Sequence, residues 1–192
     1  MVSWSEHDLV DATARRLVAR AELHDPEVTA LVSSVAERSD GRLVGLDHRV
    51  KTVESLTRKL TDLTGLDPTL DAETAGSKVY DVLRYTVVSD DYRYMQVHDR
   101  VLDGPRQRGV TVVMTVNRWA EPGYRGINVR LGLGDWRFEV QFHTPASYEA
   151  TKASRGYYEE RRLASTSEER RNDLARFTEA VFSRAPVPPG AL

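Results

Sequence analysis

With 192 residues, 40% of them hydrophobic and 29% charged, the chain is long enough for one globular unit with a substantial core. A formal net charge of −2 excludes a uniformly basic coat for nucleic acid but leaves room for a local cationic cleft, and the absence of cysteine excludes disulfide staples and thiolate metal sites. No apolar run reaches the roughly 18 residues of a membrane-spanning helix, and the polar, charge-rich start has no apolar signal core, so neither a membrane segment nor a signal peptide is expected.

Residues 5–38 place Leu9, Ala12, Leu17 and Val18, then Val28, Leu31, Val32 and Val35, at helical spacing. Pro26 between the two groups predicts two short helices. After the Ser39-Asp40-Gly41 break, Val50, Val53, Leu56, Leu60 and Leu63 predict a short lead-in and a helix that turns this face inward. From Lys78, the residues Val79, Leu83, Tyr85, Val87 and Val88 read as a strand, with Asp81 at its start. Asp91 to Leu102 reads as a helix carrying Tyr94, Val97, Val101 and Leu102 inward. Val110–Val116, Ile127–Leu131 and Phe138–Phe142 read as further strands, the last ended by Pro145. Ala146 to Arg184 is charged and periodic, hence helical, and the Pro-rich stretch from Ala185 to Gly190 reads as a frayed tail. The expected class is α+β, with a mixed, mainly antiparallel central sheet of about five strands flanked by helices and with helical N- and C-terminal segments. Residues 1–185 read as a single unit, with N-terminal helices in 1–40, a core in 45–162 and a C-terminal helix in 163–185, followed by a flexible tail at 186–192.

Four segments carry residues suited to chemistry. In Arg49-Val50-Lys51-Thr52-Val53-Glu54-Ser55-Leu56-Thr57-Arg58-Lys59, steps of four bring Lys51, Ser55 and Lys59 to one helical face, where they suit a triphosphate or, equally, make a solvated charged face. Asp81 opens an otherwise apolar strand, either as a simple edge cap or because a cation meets it there. In Glu121-Pro122-Gly123-Tyr124-Arg125-Gly126-Ile127-Asn128, two glycines permit close backbone approach, and Tyr124 offers a ring for a purine or packs within a hairpin. Phe138-Glu139-Val140-Gln141-Phe142-His143-Thr144 alternates, predicting Phe138, Val140 and Phe142 in the core and Glu139, Gln141 and His143 on a wet face. Asp81 and Glu139 are hard oxygen donors of the kind that magnesium prefers.

Taken together and in order, these four segments resemble the synthetase domain of the RelA/SpoT family over roughly residues 45–162, nearest its toxic small synthetases and secreted effectors. The resemblance implies a nucleotidyltransferase-like fold and transfer of pyrophosphate from ATP to the 3′-hydroxyl of a purine nucleotide, with magnesium as cofactor. By that likeness Arg49, Lys51, Ser55 and Lys59 bind ATP and its phosphates, and Asp81 and Glu139 hold magnesium, Glu139 also taking the proton of the attacking hydroxyl. Tyr124 stacks on the acceptor base, with Arg125, Asn128, Gln141, His143 and Lys152 completing the acceptor side. Two departures matter. The family often has an arginine where this chain has Thr86, so Arg84, on the same strand face, is expected to pack on adenine in its place. Gly126, Ile127 and Asn128 replace the usual serine, isoleucine or leucine, and histidine, which leaves guanosine, adenosine and a tRNA 3′ end open as acceptors. The helical face of Lys152, Arg155, Tyr158, Glu159 and Arg162 reads as an acceptor-phosphate contact or as an ion-pair ladder. His7-Asp8 and His98-Asp99 match pairs used by metal-dependent phosphohydrolases, but the other histidines, His24, His48 and His143, complete no ligand set, so no hydrolase site is expected. A synthetase without a hydrolase suits a dedicated enzyme or a toxin that acts in the cytoplasm, made there or delivered as an effector, with an immunity or antitoxin protein as its expected partner. The alternative is a non-catalytic nucleotide-binding module of the same fold, against which the presence of both Asp81 and Glu139 speaks.

Overall fold

A computed structural model describes residues 6–106, 109–163 and 165–192, so the first five residues of the expected N-terminal helical segment lie outside the described residues. The two helices expected on either side of Pro26 are one: α1 (Glu6–Arg38) continues for 33 residues with the proline inside it. Val10, Val18, Val28, Leu31, Val32 and Val35 all lie on its buried stripe. Each contributes roughly 1.5–3 kcal/mol on burial, which together outweighs the cost of about 3 kcal/mol for an interior proline.

Beyond α1 come β1 (Arg42–Val44), a 3-10 turn at Leu46–His48 and α2 (Val53–Leu66), whose N-cap Thr52 accepts the Ser55 N–H. A short helix, α3 (Ala72–Ser77), leads to β2 (Arg84–Val88), and α4 (Tyr94–Arg106) returns the chain across the sheet. Then follow β3 (Val110–Asn117), β4 (Ile127–Leu133), β5 (Trp136–His143), α5 (Pro145–Arg161) and α6 (Glu168–Phe182). The five strands lie in the order β1-β2-β5-β4-β3. Only the β2–β5 pair is parallel, so the sheet is mixed and mainly antiparallel, as predicted.

One sheet face carries Tyr85, Val87, Val129, Leu131, Phe138, Val140 and Phe142 into the core. There the Tyr85 hydroxyl reaches Asp25 and Thr29 of α1, and the His98 ring of α4 lies 4.9 Å from Phe142. The opposite face was expected to be wet, yet Glu139 is 8% and His143 1% exposed. Ser147 and Tyr148 of α5 close over its His143 end. The stretch expected to fray also packs: Ala185 and Ala191 are buried, and the Asn117 side-chain amide donates to the Ala191 carbonyl at 2.6 Å.

Candidate active site

Two backbone bonds set the site. Lys51 N–H donates to the Val82 carbonyl at 2.9 Å and Arg84 N–H to the Arg49 carbonyl at 2.8 Å, strapping the lead-in to α2 beside the turn before β2. Asp81 stands in that turn instead of opening the strand. Its two oxygens meet Lys59 Nζ at 2.6 Å and Lys51 Nζ at 3.2 Å. Burial works to raise the Asp81 pKa, but the two ammoniums overcome it and hold the carboxyl at about 2. Burial lowers the pKa of Lys51, with the Asp81 charge working against that shift.

The parallel β2–β5 pairing brings Glu139 to the same place. Its N–H donates to the Leu83 carbonyl at 3.0 Å, and Arg84 lies directly opposite it in the register. Burial, and then the negative charge of Asp81, push the Glu139 carboxyl above its ordinary range, while Gln141 Nε2 donates to Glu139 Oε1 at 2.9 Å. Two neighbouring carboxylates are thus tuned apart, one kept ionised and one made more basic. As donors they suit magnesium: both offer hard oxygens, and a divalent cation would relieve the repulsion that lifts Glu139. No group of three or more candidate protein ligands occurs among the described residues, so such an ion would draw its other ligands from water and phosphate.

Further along the same face lies a neutral, buried network. The Tyr124 hydroxyl donates to Asn128 Oδ1 at 2.7 Å and meets His143 Nε2 at 2.9 Å, while His143 Nδ1 meets Ser147 Oγ at 2.9 Å. If Tyr124 gives its proton to Asn128, then Nε2 of His143 carries the hydrogen and Nδ1 accepts from Ser147. Burial, reinforced by the charge of Arg84, holds the His143 pKa at about 4, so the ring is neutral near pH 7. The Tyr124 ring, expected to stack on an acceptor base, packs edge-on against His143 at 5.3 Å and lies tilted against Phe182 of α6 at 5.6 Å. It is both a hairpin tyrosine and part of the site wall.

No family model matches the chain, and no curated protein matches it. Solved structures do. Small alarmone synthetase 1 from Bacillus subtilis, bound to its product pppGpp, superposes with a TM-score of 0.59 at 16% identity, over 88% of this chain and 91% of that one. The chain has the small alarmone synthetase fold. Small alarmone synthetase 2 from Bacillus subtilis matches at 0.58 and 11% identity over 88% and 92% of the two chains. A GTP pyrophosphokinase family protein from Streptococcus pneumoniae matches at 0.54 and 15% identity over 84% and 88%.

Within this synthetase fold, the face gathers Lys51, Lys59, Asp81, Arg84, Glu139 and Gln141, followed by Asn128, Tyr124 and His143. Ser55 is half-buried in the first turn of α2. Three expected residues are engaged elsewhere. Arg49 forks onto Asp25 of α1 at 2.6 and 2.7 Å, Arg125 donates to the Ala185 carbonyl, and Lys152 pairs with Glu149 at 2.6 Å. The face running along α5 is an ion-pair ladder, with Arg155 on Glu159 at 2.9 Å and Arg162 reaching Asp62 at 2.8 Å. Sequence reasoning missed Arg130 and Arg137 and gave Tyr80, beside Asp81, no role. The alternation of strands carried the signal, because Arg137 stands two residues before Glu139 and Arg130 two after Asn128.

Proposed function

We propose that the chain is a nucleotide pyrophosphokinase that moves the terminal pyrophosphate of ATP onto the 3′-hydroxyl of a purine nucleotide. The observation that carries this reading is the pairing of an Asp81 carboxylate clamped by Lys51 and Lys59 with a buried, more basic Glu139 beside it. The donor's phosphates draw the Lys51 and Lys59 ammoniums toward themselves and so lose charge repulsion against an incoming oxygen. Glu139 accepts the proton of the 3′-hydroxyl as that oxygen bonds to the β-phosphorus, and the bond from the β-phosphorus to the α–β bridging oxygen breaks, releasing AMP with its electron pair. Asp81 and Glu139 would hold magnesium, which when bound would supply neutralisation of the charge on the transferring group. Gln141 orients the Glu139 carboxyl through their 2.9 Å hydrogen bond. The pppGpp product of the Bacillus subtilis neighbour supports a purine acceptor, and the neutral wall of Asn128, Tyr124 and His143 suits an uncharged base.

The test incubates the protein with ATP and magnesium, alone and with each adenosine and guanosine 5′-phosphate, and separates the products. AMP matched one to one by a 3′-pyrophosphorylated nucleotide is expected. AMP accompanied by inorganic pyrophosphate instead would sink the reading. Glu139→Gln should still bind ATP while losing at least about 100-fold in AMP release, the usual scale for a lost general base.

A further inference from the structure

On the face that carries Glu139, three arginines make no close ion pair with a carboxylate, although the charge of Arg84 acts on Glu139. Register puts Arg84, Glu139 and Arg130 in one row across β2, β5 and β4, and Arg137 follows two residues before Glu139 on β5. Among the described residues, no aspartate or glutamate forms an ion pair with Arg84, Arg130 or Arg137, whereas Lys51 and Lys59 already share Asp81. The guanidinium carbons of Arg130 and Arg137 each lie 5.2 Å from the centroid of the Tyr80 ring, next to Asp81 in sequence. Arg137 Nη1 donates to the Ser77 carbonyl at 2.8 Å and to the Tyr80 hydroxyl at 3.3 Å, and Arg130 Nη1 has only the Met114 sulfur at 3.5 Å. Most of the five N–H donors on each guanidinium are therefore unspent. Contact with the Tyr80 ring holds both forks in place and takes one donor of Arg137 and none of Arg130. The cluster lies on the far side of Glu139 from the neutral wall of Asn128, Tyr124 and His143, so the face grades from an uncharged end to a cationic end.

We propose that Arg130 and Arg137, set by Tyr80, form a phosphate-binding subsite that takes the phosphate chain of a nucleotide substrate. Fork-shaped donors with no carboxylate partner match phosphate oxygens two at a time. The assignment to a nucleotide rests on the pyrophosphokinase reading; the binding of phosphate does not. Inorganic tripolyphosphate is therefore the first probe, followed by titration calorimetry on the wild type, R130Q, R137Q and, as a distant control, R176Q. Each site variant should bind tripolyphosphate about tenfold more weakly, as expected for losing a hydrogen bond to a charged group, while R176Q binds as the wild type does. Exposed Arg137 makes R137Q the variant least able to disturb folding, and its unfolding temperature should match the wild type. In turnover, R137Q should raise a KM and leave kcat within about threefold, as for a contact made equally in ground and transition states. A raised KM for ATP assigns the subsite to the donor; a raised KM that grows with the number of acceptor 5′-phosphates assigns it to the acceptor. Tripolyphosphate affinity and both KM values unchanged in R130Q and R137Q overturn the subsite. A wild type that binds tripolyphosphate through these arginines but releases no AMP upholds the subsite and removes the pyrophosphokinase reading.

Discussion

His143 shows how burial sets a protonation state. Its pKa of about 4, against an ordinary 6.5, means that the unfolded chain takes up a proton on falling through pH 6.5 which the folded protein refuses until about pH 4. Stability contributed by neutral His143 is thus complete above pH 6.5 and lost as pH falls toward 4, by about 3 kcal/mol across that window. Urea unfolding of the wild type and of His143→Gln at several pH values should show the steeper acid loss in the wild type; equal slopes would count against a buried neutral ring. Gly126, in the adjoining loop, is constrained by space. A Cβ there would stand 2.9 Å from the Phe142 carbonyl oxygen and 3.1 Å from His143 Cε1, and backbone cannot yield as a side-chain tip can. Gly126→Ala should cost about 1–3 kcal/mol in thermal unfolding. A neutral effect would mean that the loop shifts freely.

Helix α1 is the element where local propensity and packing disagree. Pro26 removes an N–H and crowds the preceding turn, yet residues on both sides bury against the sheet and α4 along one stripe, so the helix continues. Pro26→Ala restores the missing donor at the expense of a freer unfolded chain, and a net gain of about 2 kcal/mol in unfolding free energy is expected. A loss would show that Pro26 is needed to seat Asp25. That residue sits just before the proline and holds Arg49, Tyr85 and Thr29 together. Arg49 is thereby a tie between α1 and the segment that carries Lys51.

For the molecule as a whole, the C-terminal residues close the structure over the β3–β4 hairpin. Arg125 and Asn117 both donate to tail carbonyls, and Ala191 is 1% exposed within the core. Removing residues 185–192 leaves those donors without partners and should lower the unfolding temperature by about 5 °C, at about 1–3 kcal/mol for the lost bonds and 2–4 °C per kcal/mol for a chain of this size. An unchanged midpoint would show that the tail contributes nothing to closure. Alternation and periodicity in the chain by themselves determined four of the five strands, most of the helices, the α+β class and the grouping of Glu139 with Gln141, because each of these depends on neighbours a few residues apart. β1 is too short to show such a pattern, and Lys51, which precedes the N-cap of α2, joins Lys59 through Asp81 and not along a helical face. Only the tertiary structure decided that Asp81 meets both lysines, that Glu139 is buried and raised beside it, that Arg49 turns to Asp25, and that Arg130 and Arg137 share Tyr80. Those outcomes depend on which strands pair and in what register, and on how much water the packed helices exclude, and neither is written in the spacing of residues along one segment.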